Sequence, residues 1–416
     1  MMNDTTDQMT LQPGTTTTLD GTKSSRRISI DVYRGMVMFL MLAEVLHWSQ
    51  WREHAVGQAP WIQTVLDWLS FHTSHVEWRG CSLHDMIQPS FSFLVGAALA
   101  FSFTKRMALG QSWKAMFLHA VVRSVILICL GIFLRSLGKP QTNFTFDDTL
   151  TQIGLGYWIL FLFASLGTRW LLLATGTLLV GYWCLFAFYP LPGADFDPTR
   201  VGVPANWHEH FSGFESHWNK NSNPAWAFDT WWMNLFPRET PFLFSAGGYC
   251  TLSFIPTLGT MMLGLIAGKW LQLPDPAGDR TMRLLTAGLA CMALAVWIDT
   301  QGWCPIVKRI WTPSWTLWSG GICFLWLLTL HWICDLGRIT WWAYPWIVIG
   351  ANSIVAYVMS WSLEKPTHDA IERHFGWLLD RIIDPSMRPA VLGALTLALF
   401  WVALRWLYRN RIFVRI

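Results

Sequence analysis

Segments of about 20 predominantly apolar residues recur along most of this chain, and no other feature limits its possible folds so strongly. An α-helix of that length crosses a hydrocarbon core about 30 Å thick, because it satisfies its own backbone polar groups where no water can. The pattern gives about ten spans, at residues 28–48, 83–103, 116–134, 149–166, 170–188, 252–267, 282–298, 316–333, 344–363 and 390–408. With 53% hydrophobic and 13% charged residues, the chain is too apolar for a string of soluble domains. It reads as an all-α polytopic membrane protein. One transmembrane domain occupies residues 26–416, preceded by a polar tail, residues 1–25, expected to be disordered and cytoplasmic. No cleavable signal is visible, so the first span serves as its own insertion signal.

Lys and Arg close to the ends of short loops, among them Lys105, Arg106, Arg169, Lys269 and Arg409, favour both termini inside. The outer face then carries three long loops, residues 50–82, 191–250 and 364–389. Most of the 29 Trp are read as an interfacial belt. In ESHWNKNSNPAWAFDTWW, however, Trp231 and Trp232 stand beside Asp229, and flat apolar rings next to a hydrogen-bonding group suit a sugar. A net charge of +4 without a basic run excludes nucleic acid as a partner. The eight cysteines form neither a disulfide framework nor a paired CxxC metal signature. The partners expected are the lipid bilayer and a small-molecule or glycan acceptor; the sequence leaves a homodimer open.

Ionisable side chains in membrane helices are costly and mark cavities, partners or pathways. Asp31 and Arg34, three apart in the first span, form either a structural ion pair or part of a site for an anionic cofactor at the inner face. Glu44 and His47, also three apart near its outer end, have the spacing of a carboxylate that orients a basic imidazole. The stretch FHTSHVEWRGCSLHDMIQPSFSFLVG, from Phe71 to Gly96, adds His72, His75, Cys81, His84 and Asp85 just before an apolar run. Of these, His72, His75, Cys81 and His84 offer four zinc-type ligands, but the spacing matches no common zinc motif and Arg79 lies among them, so no metal is expected. In the ninth span, Asn352 and Ser353 interrupt apolar sequence, as an interhelical hydrogen bond or as part of a cavity lining.

Four blocks in register, SIDVYRGMVMFLML, HVEWRGCSLHDMIQPSFSFLVGAALAF, TLSFIPTLGTMMLGLIAGKWL and GANSIVAYVMSW, resemble the heparan-α-glucosaminide N-acetyltransferase-like family of transmembrane acyltransferases. The resemblance runs from about Arg26 to Tyr408. It implies transfer of an acetyl group from cytoplasmic acetyl-CoA to the amine of a glucosamine-type sugar on the far side of the membrane. It also implies a catalytic role for His75, with Asp85 and Asn352 at matching positions. Three departures fall on the acceptor side: Glu44 and His47 where relatives often have Asn, Thr151-Gln152 for Gln-Arg, and Gly247-Gly248-Tyr249-Cys250 for an acidic motif. The alternatives are O-acylation of an envelope glycan and, from another class, a transporter. A transporter predicts an internal repeat with matching broken helices, and none is visible.

A glucosamine amine must be neutral to attack a thioester, and an imidazole titrating near neutrality is matched to that task as a base; acetylation of His75 itself is the other route. Arg34, Lys105, Arg106 and Arg123 are the expected contacts of the CoA nucleotide. Trp231, Trp232, Asp229 and Asn352 are assigned to the acceptor, and Asn352 or Arg79 to the oxyanion. His72 and His84 are read as interface residues. The expected location is a bacterial inner membrane with the acceptor site facing the periplasm.

Overall fold

A computed structural model describes residues 27–47, 59–193, 195–384 and 387–414. The proposed tail, residues 1–25, lies outside them. Among the described residues the regular structure is helical, with one isolated antiparallel bridge between Arg79 and Val307. The protein is an all-α membrane protein. Among the described residues, seven stretches are long and apolar enough to cross a bilayer: His84–Ala108, Trp113–Ser136, Thr168–Ala187, Thr251–Gln272, Ala277–Thr300, Pro313–Leu336 and Arg388–Arg409.

The other three predicted spans are helical but shorter. Helix α1, Ile28–Leu42, covers 15 residues and then tightens into a 3-10 turn, Ala43–Leu46. At about 1.5 Å per residue α1 is roughly 22 Å long. Counting α2 as Pro60–His72, α3 as Ile87–Ala108 and α4 as Trp113–Ser136, the fourth predicted span becomes α5, Thr149–Phe163. After α6, Thr168–Ala187, α7, Pro224–Trp232, α8, Phe254–Gln272, α9, Ala277–Thr300, and α10, Pro313–Leu330, the ninth predicted span is divided at Asn352. Its halves are α11, Tyr344–Ala351, and α12, Ser353–Ser362. The chain closes with α13, Glu364–Ile382, and α14, Arg388–Arg409. Helices α2, α7 and α13 fall within predicted loops. Charged and apolar residues alternate in α13 at helical spacing, leaving Phe375, Trp377 and Ile382 exposed, and a hydropathy reading passes over such a mixture.

Local chemistry sets several helix starts. Asp148 caps α5 by accepting from Leu150 N at 2.9 Å and Thr151 N at 3.2 Å, and Asn223 caps α7 through Ala225 N and Trp226 N at 3.1 and 3.0 Å. The first turn of α1 is capped from a distance: Asp335 accepts from Ser29 N at 3.2 Å and from Ser29 Oγ at 2.6 Å. Asp335 reaches it from a π-turn, His331–Leu336, which also sets His331 Nδ1 2.8 Å from its carboxylate.

Helices that cannot gain from excluding water gain by packing closely, which small residues permit. A Cβ on Gly264 of α8 would strike the backbone carbonyl of Phe93 in α3, and one on Gly268 would meet Ala97 O at 2.6 Å. Residues of α3 and α8, among them Phe93, Leu94, Met261 and Leu265, belong to the main hydrophobic core.

A second hydrophobic core sits on the loops at one end of the bundle. Trp78 and Trp218, both 0% exposed, pack there with Tyr182, Phe186, Val307 and Ile310. Trp78 Nε1 donates to Trp218 O at 3.1 Å. Gly248, at φ +75°, lets its loop pass over the Trp78 ring, where a Cβ would come within 2.6 Å of it. Two of the tryptophans read as an interfacial belt or a sugar platform are therefore core. Their packing fixes the loop that carries His75.

Candidate active site

The loop from Ser74 to Ser82 is held at both ends. Gly80 N donates to Ile306 O at 3.1 Å beside the Arg79–Val307 bridge. Arg309 donates to Val76 O at 3.1 Å and to Gly247 O at 2.7 Å. This pairing draws the segment before α10 onto the His75 loop and delivers Lys308 and Arg309 to it.

Asp85 is the centre of the cluster. It is 0% exposed, and its Oδ2 accepts from Ser82 N at 3.1 Å and Val76 N at 3.2 Å. The Ser82 hydroxyl lies 2.9 Å from Oδ2 and 2.6 Å from Ser74 O, and donates to one of them. Oδ1 faces His75 Nδ1 at 2.7 Å and Lys308 Nζ at 3.1 Å. An ionised carboxylate only accepts, so the shared proton belongs on Nδ1. The lone pair then sits on Nε2, on a ring whose side chain is still 38% exposed. This is how a buried carboxylate fixes the tautomer of a working imidazole.

Lys308 adds a charge. Its side chain is 5% exposed, and Nζ stands 3.0 Å from His75 Nδ1. Burial holds His75 below its ordinary value, with Lys308 and Arg309 acting in the same direction and Asp85 opposing them. Burial likewise lowers Lys308, offset by Asp85. The result is a neutral imidazole near pH 7 with its orientation fixed, able to take a proton or to attack through Nε2.

Around this cluster the expected site residues separate. The sequence pairs Glu44 with His47, but the α-helix ends at Leu42 and His47 adopts φ +45°, so the two part company. Glu44 Oε1 lies 3.3 Å from His84 Nε2, while His47 Nε2 lies 2.8 Å from Glu364. His84, read as an interface residue, packs its ring against His75 with centroids 4.3 Å apart. His72 accepts from Leu83 N at 3.2 Å. Among the described residues no three His, Cys, Asp or Glu are arranged to hold a metal ion.

Neither expected oxyanion donor reaches His75. The Asn352 carboxamide is taken up by Ile412 O and Val414 N, both at 3.0 Å. Arg79 turns to Asp299 at 2.9 Å and Glu215 at 3.7 Å, because its backbone is bridged to the segment that follows α9. The cations beside His75 are Lys308 and Arg309. Neither was singled out in the sequence, although KR inside CPIVKRIW is a charged pair in apolar surroundings.

Asp229 is 4% exposed and accepts from Thr251 N at 2.9 Å, at the start of the stretch that leads into α8. Its other oxygen has no partner, and burial pushes its carboxyl up to about 7. It lines a narrow crevice with Asn223, Trp226 and Tyr249, and the Tyr249 ring lies 6.3 Å from that of His75. Trp231 is 58% exposed, and Trp232 stacks on Phe228. Among the expected cofactor contacts, Arg34 pairs with Asp31 at 3.9 Å and Arg123 donates to Tyr157 Oη at 3.2 Å. Lys105 and Arg106 occupy the last turn of α3.

No family model matches the chain. Among curated proteins, it is 22% identical over 437 residues to human heparan-α-glucosaminide N-acetyltransferase, an alignment covering 93% of this chain and 59% of that protein. The mouse protein of the same name is 22% identical over 394 residues, covering 83% of this chain and 57% of its own length. The chain thus spans less than two thirds of these relatives.

Proposed function

We propose that this distant relative of the heparan-α-glucosaminide N-acetyltransferases moves an acetyl group from acetyl-CoA to the amine of a glucosamine-type sugar across the membrane. The observation that carries the reading is the His75–Asp85 pair: a 2.7 Å contact to a buried carboxylate, with Nε2 left free on an exposed edge. His75 takes a proton from the attacking amine as the C–N bond forms, and the thioester C–S bond then breaks to release the thiol. Asp85 orients His75, and Lys308 keeps it neutral between turnovers. Arg309 and Lys308 are the nearest cations for the oxyanion of the tetrahedral intermediate.

In this reading the three shorter apolar helical segments complete ten spans, with both termini inside a bacterial inner membrane and the His75 cluster facing the periplasm. Arg34, Lys105, Arg106 and Arg123 then lie on the donor side and receive the anionic nucleotide of CoA. Asp229, Trp231 and Trp232 belong to the acceptor side. The test is transfer of labelled acetyl from acetyl-CoA to glucosamine by purified protein, with His75→Ala as the variant. Loss of at least a hundredfold is expected. Full activity in the variant would remove His75 from the chemistry, and a wild type that neither binds nor consumes acetyl-CoA would remove the acyltransferase reading.

A further inference from the structure

The surface of α14 is hollow along one line. Ala394 and Ala398, one turn apart and both exposed, carry little side-chain bulk, while a Cβ on Gly393 would strike Val45 O, so α14 lies close against the end of α1. A groove of about 340 Å³ results, lined by Phe39, Leu42 and Leu46 from α1 and the turn after it and by Ala394, Ala398 and Val402 from α14. From Ala394 to Val402 it follows the helix for roughly 12 Å. Every residue lining it is apolar, and α14 lies in the stretch Arg388–Arg409 that is long and apolar enough to cross a bilayer. A hollow open to lipid is filled by lipid, because its walls would otherwise forgo their dispersion contacts. The occupant is therefore a hydrocarbon chain. Lipid tails are as apolar as these walls, so the groove itself has no hydrophobic preference for one chain over another. The head at its lip decides.

That lip is polar and belongs to the candidate site. Leu46 ends the 3-10 turn that also carries Glu44, and His47 follows it. Glu44 Oε1 lies 3.3 Å from His84 Nε2, and the His84 ring packs on that of His75 with centroids 4.3 Å apart. His47 Nε2 meets Glu364 Oε1 at 2.8 Å. The side chains of Glu44, His47 and Glu364 keep 49%, 39% and 30% of their surface exposed, so a head group can reach them. The head of a chain seated in the groove thus meets two carboxyl groups, which accept hydrogen bonds, and beyond Glu44 the candidate base. A sugar carrying hydroxyls and an amine supplies the matching donors. A phosphocholine head has no N–H or O–H to offer.

We propose that the acceptor is a lipid-linked amino sugar, whose hydrocarbon chain lies in the groove between α1 and α14 while its head, held at Glu44 and Glu364, presents the amine to His75. The proposal rests on the acetyltransferase reading above, and the bonds made and broken are those given there. The groove adds position: a chain lying along α14 brings the amine to the site from the bilayer, along a fixed line.

The experiment uses the protein in phosphatidylcholine nanodiscs with two acceptors, glucosamine and its octyl β-glycoside. Ala398→Trp fills the groove, and Leu399→Trp, at an exposed position of the same helix outside the groove, is the control. In Ala398→Trp, kcat/KM for the octyl glycoside is expected to fall roughly tenfold or more, with glucosamine used as by wild type; Leu399→Trp is expected to change neither. Partition of the octyl chain into the disc is common to all three proteins and cancels. Equal losses for both acceptors in Ala398→Trp, no loss for either, or the same loss in Leu399→Trp overturns the groove. A second readout needs no catalysis: the octyl glycoside bearing a photoreactive diazirine on its chain is expected to label peptides of α1 and α14 in wild type, displaced by the unlabelled glycoside and not by phosphatidylethanolamine at the same mole fraction. Displacement by both assigns the groove to an ordinary amine-headed phospholipid and overturns the proposal. Labelling there without acetyl transfer to either acceptor overturns the acetyltransferase reading and leaves the lipid-linked sugar site standing, whereas transfer to glucosamine without such labelling overturns the groove alone.

Discussion

Replacing Lys308 by Met removes the buried cation and keeps most of the apolar stem. Nζ lies 3.0 Å from His75 Nδ1 and 3.1 Å from Asp85 Oδ1. A unit charge about 4 Å from the imidazolium charge centre, in an effective dielectric near 20, contributes about 4 kcal/mol, equivalent to about three pH units of titration. His75 is 38% exposed, so solvent screens part of this, and a shift of roughly one to two units is expected. Its direction follows from the charges. Removing a cation favours the imidazolium, so the pKa of His75 rises toward and past its ordinary 6.5. A base acts only when neutral, so the acid limb of kcat/KM moves to higher pH by the same one to two units. On the acid limb, below the wild-type pKa, the variant loses about ten- to a hundredfold, the loss shrinks toward neutral pH, and well above its new pKa it recovers. The assay is acetyl transfer to glucosamine from about pH 5.5 to 9. The acceptor's own titration is common to both proteins and cancels in their ratio. Removing one partner of a buried ion pair also costs on the order of 3–5 kcal/mol of stability, so thermal melts at each pH separate unfolding from titration. An acid limb that stays put, or moves to lower pH in a folded variant, refutes the argument. A uniform loss at every pH would put Lys308 on the thioester oxygen instead.

Asp229→Asn keeps an acceptor for Thr251 N while removing a buried carboxyl that titrates near 7 instead of 3.8. Between these values the folded protein holds the proton that the unfolded chain has lost, so wild-type stability falls as pH rises through that window. The variant should therefore exceed wild type above pH 7 by on the order of 4 kcal/mol and match it near pH 4; melts at pH 5 and 8 that differ equally would contradict this. Gly264→Ala forces a methyl group onto the carbonyl of Phe93 and should cost roughly 1–3 kcal/mol, read as a lower melting temperature. Gly176→Ala, which meets nothing within 4 Å, should be neutral or slightly stabilising; equal effects at both sites would dismiss close packing of α3 on α8.

What the sequence discloses and what it hides follow from the range of the forces involved. Seven of the ten predicted spans coincide with helices long and apolar enough to cross a bilayer among the described residues, because burying apolar side chains in lipid is decided residue by residue within a window of about 20; of the other three, the first ends at Leu42, the fourth covers 15 residues and the ninth is divided at Asn352. Spacing rules fail where a helix stops. The three-residue interval between Glu44 and His47 pairs them only if α1 continues, and it ends at Leu42. The His75–Asp85 pair is ten residues apart on an irregular loop, so no periodicity predicts it; the resemblance of a whole block made it visible. Lys308 is 233 residues from His75, and the bridge at Val307, the Arg309 hydrogen bond to Val76 O and the Trp78 core bring them together. Arg79 shows the converse. It lies four residues from His75 in sequence, yet its guanidinium binds Asp299 and Glu215. Proximity in sequence nominated the wrong cation because the electrostatics of a recessed site depend on which loops pack, and that packing depends on buried tryptophans which composition alone assigns to a membrane belt. The three outer departures from the resembled pattern take on meaning in the same way: Glu44 faces His84 beside the base, Gly248 admits Trp78 beneath it, and Gln152 donates to Cys250 O and Thr251 O next to the Asp229 carboxylate. If the proposed acetyltransferase reading holds, differences in acceptor choice between this chain and its relatives should be sought at these three positions.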